Sequence, residues 1–172
     1  MNPKIVHTVL EMLHDRGYDI KDRDDDSIQG IKNDSTIKVY YCDQPKIGIK
    51  HINEVIEDME TYNINNGIFI YSGNVSSFAK QLLVDNKKTI QYFNEDELSF
   101  NITHHSFVPE HKIMSRETKM TIIKKYKIKE KQIPWIHHSD PVVKYHGGCI
   151  GDLFRIVRNS KDGLSVTYRL CV

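Results

Sequence analysis

No apolar run in these 172 residues approaches the ~18–20 needed to cross a bilayer, and no basic segment leads into an apolar one at the N-terminus. The expectation is a soluble, intracellular chain without a membrane partner. Cysteine is scarce. Cys42, Cys149 and Cys171 are odd in number, far apart and without C-x-x-C spacing, which leaves neither a disulfide framework nor a zinc site. Each is expected as a small buried apolar residue. An excess of one charge is also lacking: Lys+Arg 24 against Asp+Glu 23 gives +1. A free-standing nucleic-acid binder carries a clear basic excess, so any DNA contact here must be a local patch or be shared with partners.

The usual catalytic punctuation is missing too. Gly147-Gly148-Cys149-Ile150-Gly151 has neither the Lys-Ser/Thr of a phosphate-binding loop nor G-x-G-x-x-G spacing. No G-x-S-x-G elbow or cysteine-nucleophile signature occurs. Histidine is plentiful, including His104-His105 and His137-His138 with His111 nearby. Adjacent histidines on a strand point to opposite faces, and no His-x-x-x-His pair accompanies them, so they read as surface or polar-network residues.

What is present has two grammars. Asn2 can cap a helix with Pro3 at its first position, and Val6, Val9, Leu10 and Leu13 repeat with helical spacing up to Gly17. Residues 19–36, rich in Asp, Lys and Ser, read as a solvated loop. Strand-like runs follow at 37–41 and 47–49. A helix over 51–62 shows an apolar face of Ile52, Val55, Ile56 and Met59. Gly67 opens a strand through Tyr71, a helix over 77–86 presents Phe78, Leu82 and Leu83, and 89–93 is again strand-like. Strands separated by helices predict an α/β domain with a mixed sheet.

Near residue 100 the pattern changes, and domains 1–99 and 100–172 are expected. The second reads as a small α+β unit, one helix followed by an antiparallel hairpin. Ser115 is the helix N-cap, with Met120, Ile122, Ile123 and Tyr126 as its apolar face. In the hairpin, Leu164, Val166, Tyr168, Leu170 and Val172 alternate with polar residues across the turn 159–163.

One enzymatic alternative follows from the first domain. Metal-dependent nucleases hold a divalent ion between an Asp and an acidic residue two before a Lys. Asp43 and Lys50 are available, but the residue two before Lys50 is Gly48, so the second carboxylate is missing. A free-standing DNA-binding adaptor is the other alternative, and the near-zero net charge opposes it.

Several strings in order along the chain resemble one family. They are LHDRGY at 13–18, PKIGIK at 45–50, FAKQLL at 78–83, FVPEHKIMSRETKMTIIKKY at 107–126, QIPWIHHSDPVVKYHGG at 132–148 and VTYRLCV at 166–172. Together they resemble the fifth subunit of eukaryotic-type DNA-directed RNA polymerases, and the C-terminal part resembles the archaeal counterpart, which consists of that part alone. The resemblance implies a non-catalytic subunit without cofactor, metal or small-molecule ligand. It has an N-terminal jaw of nuclease-like architecture without the site, and a C-terminal assembly domain.

The implied partners are the largest and other polymerase subunits, and downstream double-stranded DNA within the complex. For assembly the resemblance points to Pro109, His111, Pro134, Asp140, Pro141, Tyr145, Gly147, Tyr168 and Arg169. For DNA it points to Ser76, Ser77 and Lys80. Departures from the family pattern fall at Trp135, Val143-Lys144, Ile150 and Ser76-Ser77-Phe78-Ala79, and the region 19–45 is short. With an abundance of Ile, Lys and Asn, these departures suggest a large DNA virus or a divergent eukaryote as the source. The expected location is the nucleus for a cellular protein, and a cytoplasmic viral factory or virion for a viral one.

Overall fold

The computed structural model describes residues 1–24, 26–160 and 163–172, which divide into two compact units, Met1–Phe100 and Asn101–Val172. In the first unit α1 (Pro3–Asp15) begins where the Asn2 side chain accepts from the Lys4 N–H, with Pro3 in the first turn. It buries Ile5, Val9, Met12 and Leu13. Three strands follow: β1 (Asp19–Arg23), β2 (Ser27–Lys32) and β3 (Ser35–Cys42). Then come β4 (Lys46–Ile47), α2 (Ile49–Thr61), β5 (Asn66–Tyr71), β6 (Asn74–Val75), α3 (Ser77–Asp85) and β7 (Ile90–Asn94).

The main sheet runs β1-β2-β3-β5-β7. Its first three strands are antiparallel and β3, β5 and β7 are parallel, so the sheet is mixed. The crossovers α2 and α3 lie over the face carrying Phe69, where Ile52, Val55, Met59, Ile64, Ala79, Leu83 and Ile90 form a core. Ile68 and Ile70 point to the other face and are equally buried. A central strand covered on both sides reads as an unbroken apolar run, as β5 does.

Residues 19–23, 27–32 and 35–36 of the expected loop are strand instead, forming β1, β2 and the start of β3. All five residues of β1 are exposed, and its register shifts between Ile20 and Asp22. Charge and a bulge are what keep an edge strand from pairing with other chains, and the same composition imitates a loop in the sequence. Asn33, at φ +51, makes the two-residue turn between Lys32 and Ser35. The strand expected at 47–49 is also shorter than its pattern. It stops at Ile47, and Gly48 is the N-cap of α2, which starts two residues before His51. On α3, Ala79 and Leu83 are buried while Phe78 stands in solvent, 77% exposed.

The second unit contains β8 (Glu110–Ile113), α4 (Arg116–Tyr126), β9 (Trp135–Ile136), α5 (Pro141–Tyr145), β10 (Leu153–Ser160) and β11 (Gly163–Cys171). The expected helix and hairpin are there, but β8, β9 and α5 add to them, giving a sheet ordered β8-β10-β11-β9. Residues 161 and 162 of the expected turn lie outside the described residues. Successive residues of β10 face opposite ways, and each face has its own cover. Phe154 and Ile156 pack with Val143 of α5, Ile136 and Cys171, while Leu153 packs with Leu170, Ile133 and Ile122 of α4.

The cover ends before the sheet does. Leu164 and Val166, which alternate with polar residues as expected, are 72% and 42% exposed. On α4 only Ile122 is buried; Ile123 is partly so, and Met120 and Tyr126 are exposed. Among the cysteines, Cys171 is buried, Cys42 half-buried and Cys149 exposed, so the expectation of three buried thiols fails at Cys149. The adjacent histidines lie in 3-10 turns and loops rather than on strands. Among the described residues no helix is long and apolar enough to cross a membrane.

Candidate functional site

In sheets of this kind ligands gather beyond the C-terminal ends of the parallel strands. Asp43 follows β3 there, and its carboxylate accepts a hydrogen bond from the Ser72 hydroxyl at 2.7 Å. Glu95, just past β7, accepts from the Tyr41 hydroxyl at 2.9 Å. Burial and that bond push the Tyr41 phenol up to about 12. Lys50 is not on a neighbouring strand. It lies in the first turn of α2, exposed, 3.8 Å from Glu54. With Gly48 as a helix cap and Lys50 directed to Glu54, the residues do not fit a divalent-metal nuclease site. Among the described residues no group of three His, Cys, Asp or Glu could hold an ion.

The three residues expected near DNA share the start of α3. Ser76 is its N-cap, the hydroxyl accepting from the Ala79 N–H at 3.3 Å, and its own N–H donates to Ile47 O at 3.0 Å. Ser77 opens the helix and Lys80 lies in the first turn, both exposed. The helix start is held rigidly. β6 pairs with β4, and Gly73 lies so close to the Gln44–Pro45 backbone that a side chain there would collide with it. The Ser76 oxygen is occupied by capping, so Ser77, Lys80 and the first-turn N–H groups are what this helix offers an anion. Phe78 is exposed beside them, although helical spacing assigns it inward, so the sequence carries no signal for it as a surface residue.

The residues expected for assembly fall into three settings. Pro109 and His111 flank the start of β8. The His111 Nδ1 is 2.7 Å from Pro109 O, and its ring stands edge-on to Phe154. Asp140 caps α5 by accepting from the Val142 N–H at 2.9 Å, with Pro141 in the first turn and Gly147, at φ +69, past its end. Pro134 accepts from the Leu170 N–H at 2.8 Å, placing β9 beside β11, where Arg169 donates to Trp135 O at 3.4 Å. Tyr168 is half-buried.

Tyr145 departs from the expected surface. It is 2% exposed, and its hydroxyl accepts from the Asn101 amide at 2.9 Å. It shapes the unit from inside. In exchange Trp135, Ile150 and Phe107 are exposed, at 62%, 63% and 89%. Nothing in the sequence marks Trp135 or Phe107 as exposed, since Pro134 restricts the residue before it, Ile133, and not the one after.

A family model described as RNA polymerase Rpb5, C-terminal domain, matches residues 100–171. Another, described as restriction endonuclease, matches residues 3–100. Among curated proteins, the DNA-directed RNA polymerases I, II, and III subunit rpabc1 of Dictyostelium discoideum is 37% identical over 189 residues, covering 98% of this chain and 96% of its own. The corresponding RPABC1 subunits of Caenorhabditis elegans and Caenorhabditis briggsae are each 35% identical over 199 residues, covering 98% of this chain and 94% of their own.

Proposed function

The chain belongs to the RNA polymerase Rpb5 family, and from that premise we propose that it is a non-catalytic subunit of a multisubunit DNA-directed RNA polymerase. The observation that carries the reading is the likeness across both units at once, 98% of this chain against 96% of the Dictyostelium polymerase subunit. The restriction-endonuclease match of residues 3–100 points instead to cleavage, but Gly48 leaves that reading without its second carboxylate, and Lys50 sits on a helix rather than beside Asp43 on a strand. The first unit keeps a nuclease-type architecture and uses it as a scaffold.

The C-terminal unit docks on the largest subunit. Pro109, Pro134 and Pro141 hold extended or helix-starting backbone in place, and His111, Asp140, Gly147, Tyr168 and Arg169 border them, with Tyr145 supporting α5 from within. The N-terminal unit acts as a jaw on downstream duplex through Ser76, Ser77 and Lys80. A cellular source places the protein in the nucleus, a viral one in a cytoplasmic factory or virion. The test is co-expression of the tagged largest subunit with residues 100–172 or with residues 1–99. Retention of the first fragment and loss of the second is the expected result, and the reverse would overturn the division of roles.

A further inference from the structure

The neutral balance of the chain conceals a strongly uneven one. Residues 116–131 carry seven basic side chains, Arg116, Lys119, Lys124, Lys125, Lys127, Lys129 and Lys131, against Glu117 and Glu130, a net of +5. The other 156 residues hold 17 basic against 21 acidic, a net of −4. Within the segment Lys119 is already engaged, 3.0 Å from Glu130 and donating to Gly151 O at 2.8 Å. That ion pair ties α4 to the stretch after it, and Ile122 and Ile133 seal the same two pieces in one core cluster. Lys124, Lys125, Lys127, Lys129 and Lys131 are all exposed, with no ion pair among the described residues.

Tyr126 lies in the middle of them, 55% exposed, with the Lys125 ammonium 5.8 Å from its ring centre. Lysines near a helix C-terminus offset its dipole, which accounts for Lys124, Lys125 and Lys127. It does not account for Lys129 and Lys131 beyond the helix. Lys127 is itself unusual. It is the C-cap in left-handed geometry, φ +51 and ψ +40, a position where glycine is the least strained choice.

We propose that this surface binds single-stranded nucleic acid, the lysines holding phosphates and Tyr126 stacking on a base. Lysines act as point charges and read no sequence, while an exposed ring among them adds what a purely acidic protein partner would not use. The site lies in the C-terminal unit and is independent of the α3 contact proposed for duplex DNA.

The experiment is fluorescence anisotropy of the full chain with a labelled oligo-dT strand at low salt. Binding is expected to weaken steeply as salt rises, by about 0.7 in log–log slope for each phosphate contact. Lys127→Gly removes one contact while relaxing the left-handed cap, so it should bind more weakly, with a slope shallower by about 0.7, at unchanged or higher melting temperature. Tyr126→Ala should weaken binding at least about fivefold, and Tyr126→Phe should restore it. Absence of binding by the wild type would overturn the proposal. So would equal competition by polyglutamate with no effect of Tyr126→Ala, which would mark an acidic-protein surface instead.

Discussion

Lys38 of β3 reaches Asp58 of α2 at 2.8 Å, and the same carboxylate oxygen accepts the Tyr40 hydroxyl at 2.7 Å. The Lys38 ammonium also stands over the Tyr40 and Tyr62 rings, at 5.1 and 5.4 Å. Burial alone would raise the Asp58 carboxyl. The hydrogen bonds from Lys38 and Tyr40 and the Lys38 charge outweigh it and hold the group below its ordinary value. Burial, with the bond to Asp58, pushes the Tyr40 phenol far up.

Removing that carboxylate leaves a partly buried ammonium and a hydroxyl unpaired, so Asp58→Ala should cost about 1–3 kcal/mol of stability at neutral pH. A carboxyl whose folded value lies below its unfolded value of about 3.9 contributes fully above that value and loses its contribution as pH falls through the folded one. The gap between wild type and Asp58→Asn in urea unfolding should therefore be constant near neutrality and narrow below about pH 4. A gap that widens in acid would contradict the assignment.

Lys80 at the start of α3 is expected to contribute a phosphate contact in the assembled polymerase. Lys80→Glu should destabilise the elongation complex increasingly as salt is lowered from physiological values, while assembly is unchanged, because phosphate contacts are salt-sensitive and sequence-blind. A reconstituted mutant enzyme with the wild-type salt profile would reduce this site to the Ser76 cap.

Incubation of the isolated chain with duplex DNA and Mg²⁺ or Mn²⁺ should give no cleavage, since Gly48 supplies no carboxylate and Lys50 pairs with Glu54. Nor should it bind duplex below micromolar concentration at physiological salt. Cleavage abolished by Asp43→Ala would restore the nuclease reading.

The three thiols should react in sequence with an aromatic disulfide reagent. Cys149 is exposed and should modify first, and the half-buried Cys42 should follow. Burial pushes the Cys171 thiol up to about 11, so it should respond only when the unit unfolds. Mass spectrometry of the partly labelled protein identifies the order.

Local signals sufficed where one chain segment satisfies its own needs. Asn2 and Ser115 begin helices because each offers the first turn a side-chain acceptor within three residues, a relation written in the sequence. The apolar run 68–71 and the face Ile52, Val55 and Met59 were legible for the same reason, and so was the missing ligand at Gly48. The in-register strings placed the two expected surfaces in particular segments. Which of their residues face outward was not legible from those strings.

Exposure depends on what another segment covers, and that only the tertiary structure decided. β1 reads as a loop because an edge strand gains its hydrogen bonds from β2 and needs no apolar side chains of its own. Leu164 and Val166 alternate as a buried strand would, yet remain in solvent where the packed cover of β11 ends near Leu170. Tyr145 and Tyr126 show the same division. Each is a tyrosine near the end of a helix, but α5 lies against Phe154 while α4 turns only Ile122 fully inward, so one ring is core and the other is surface.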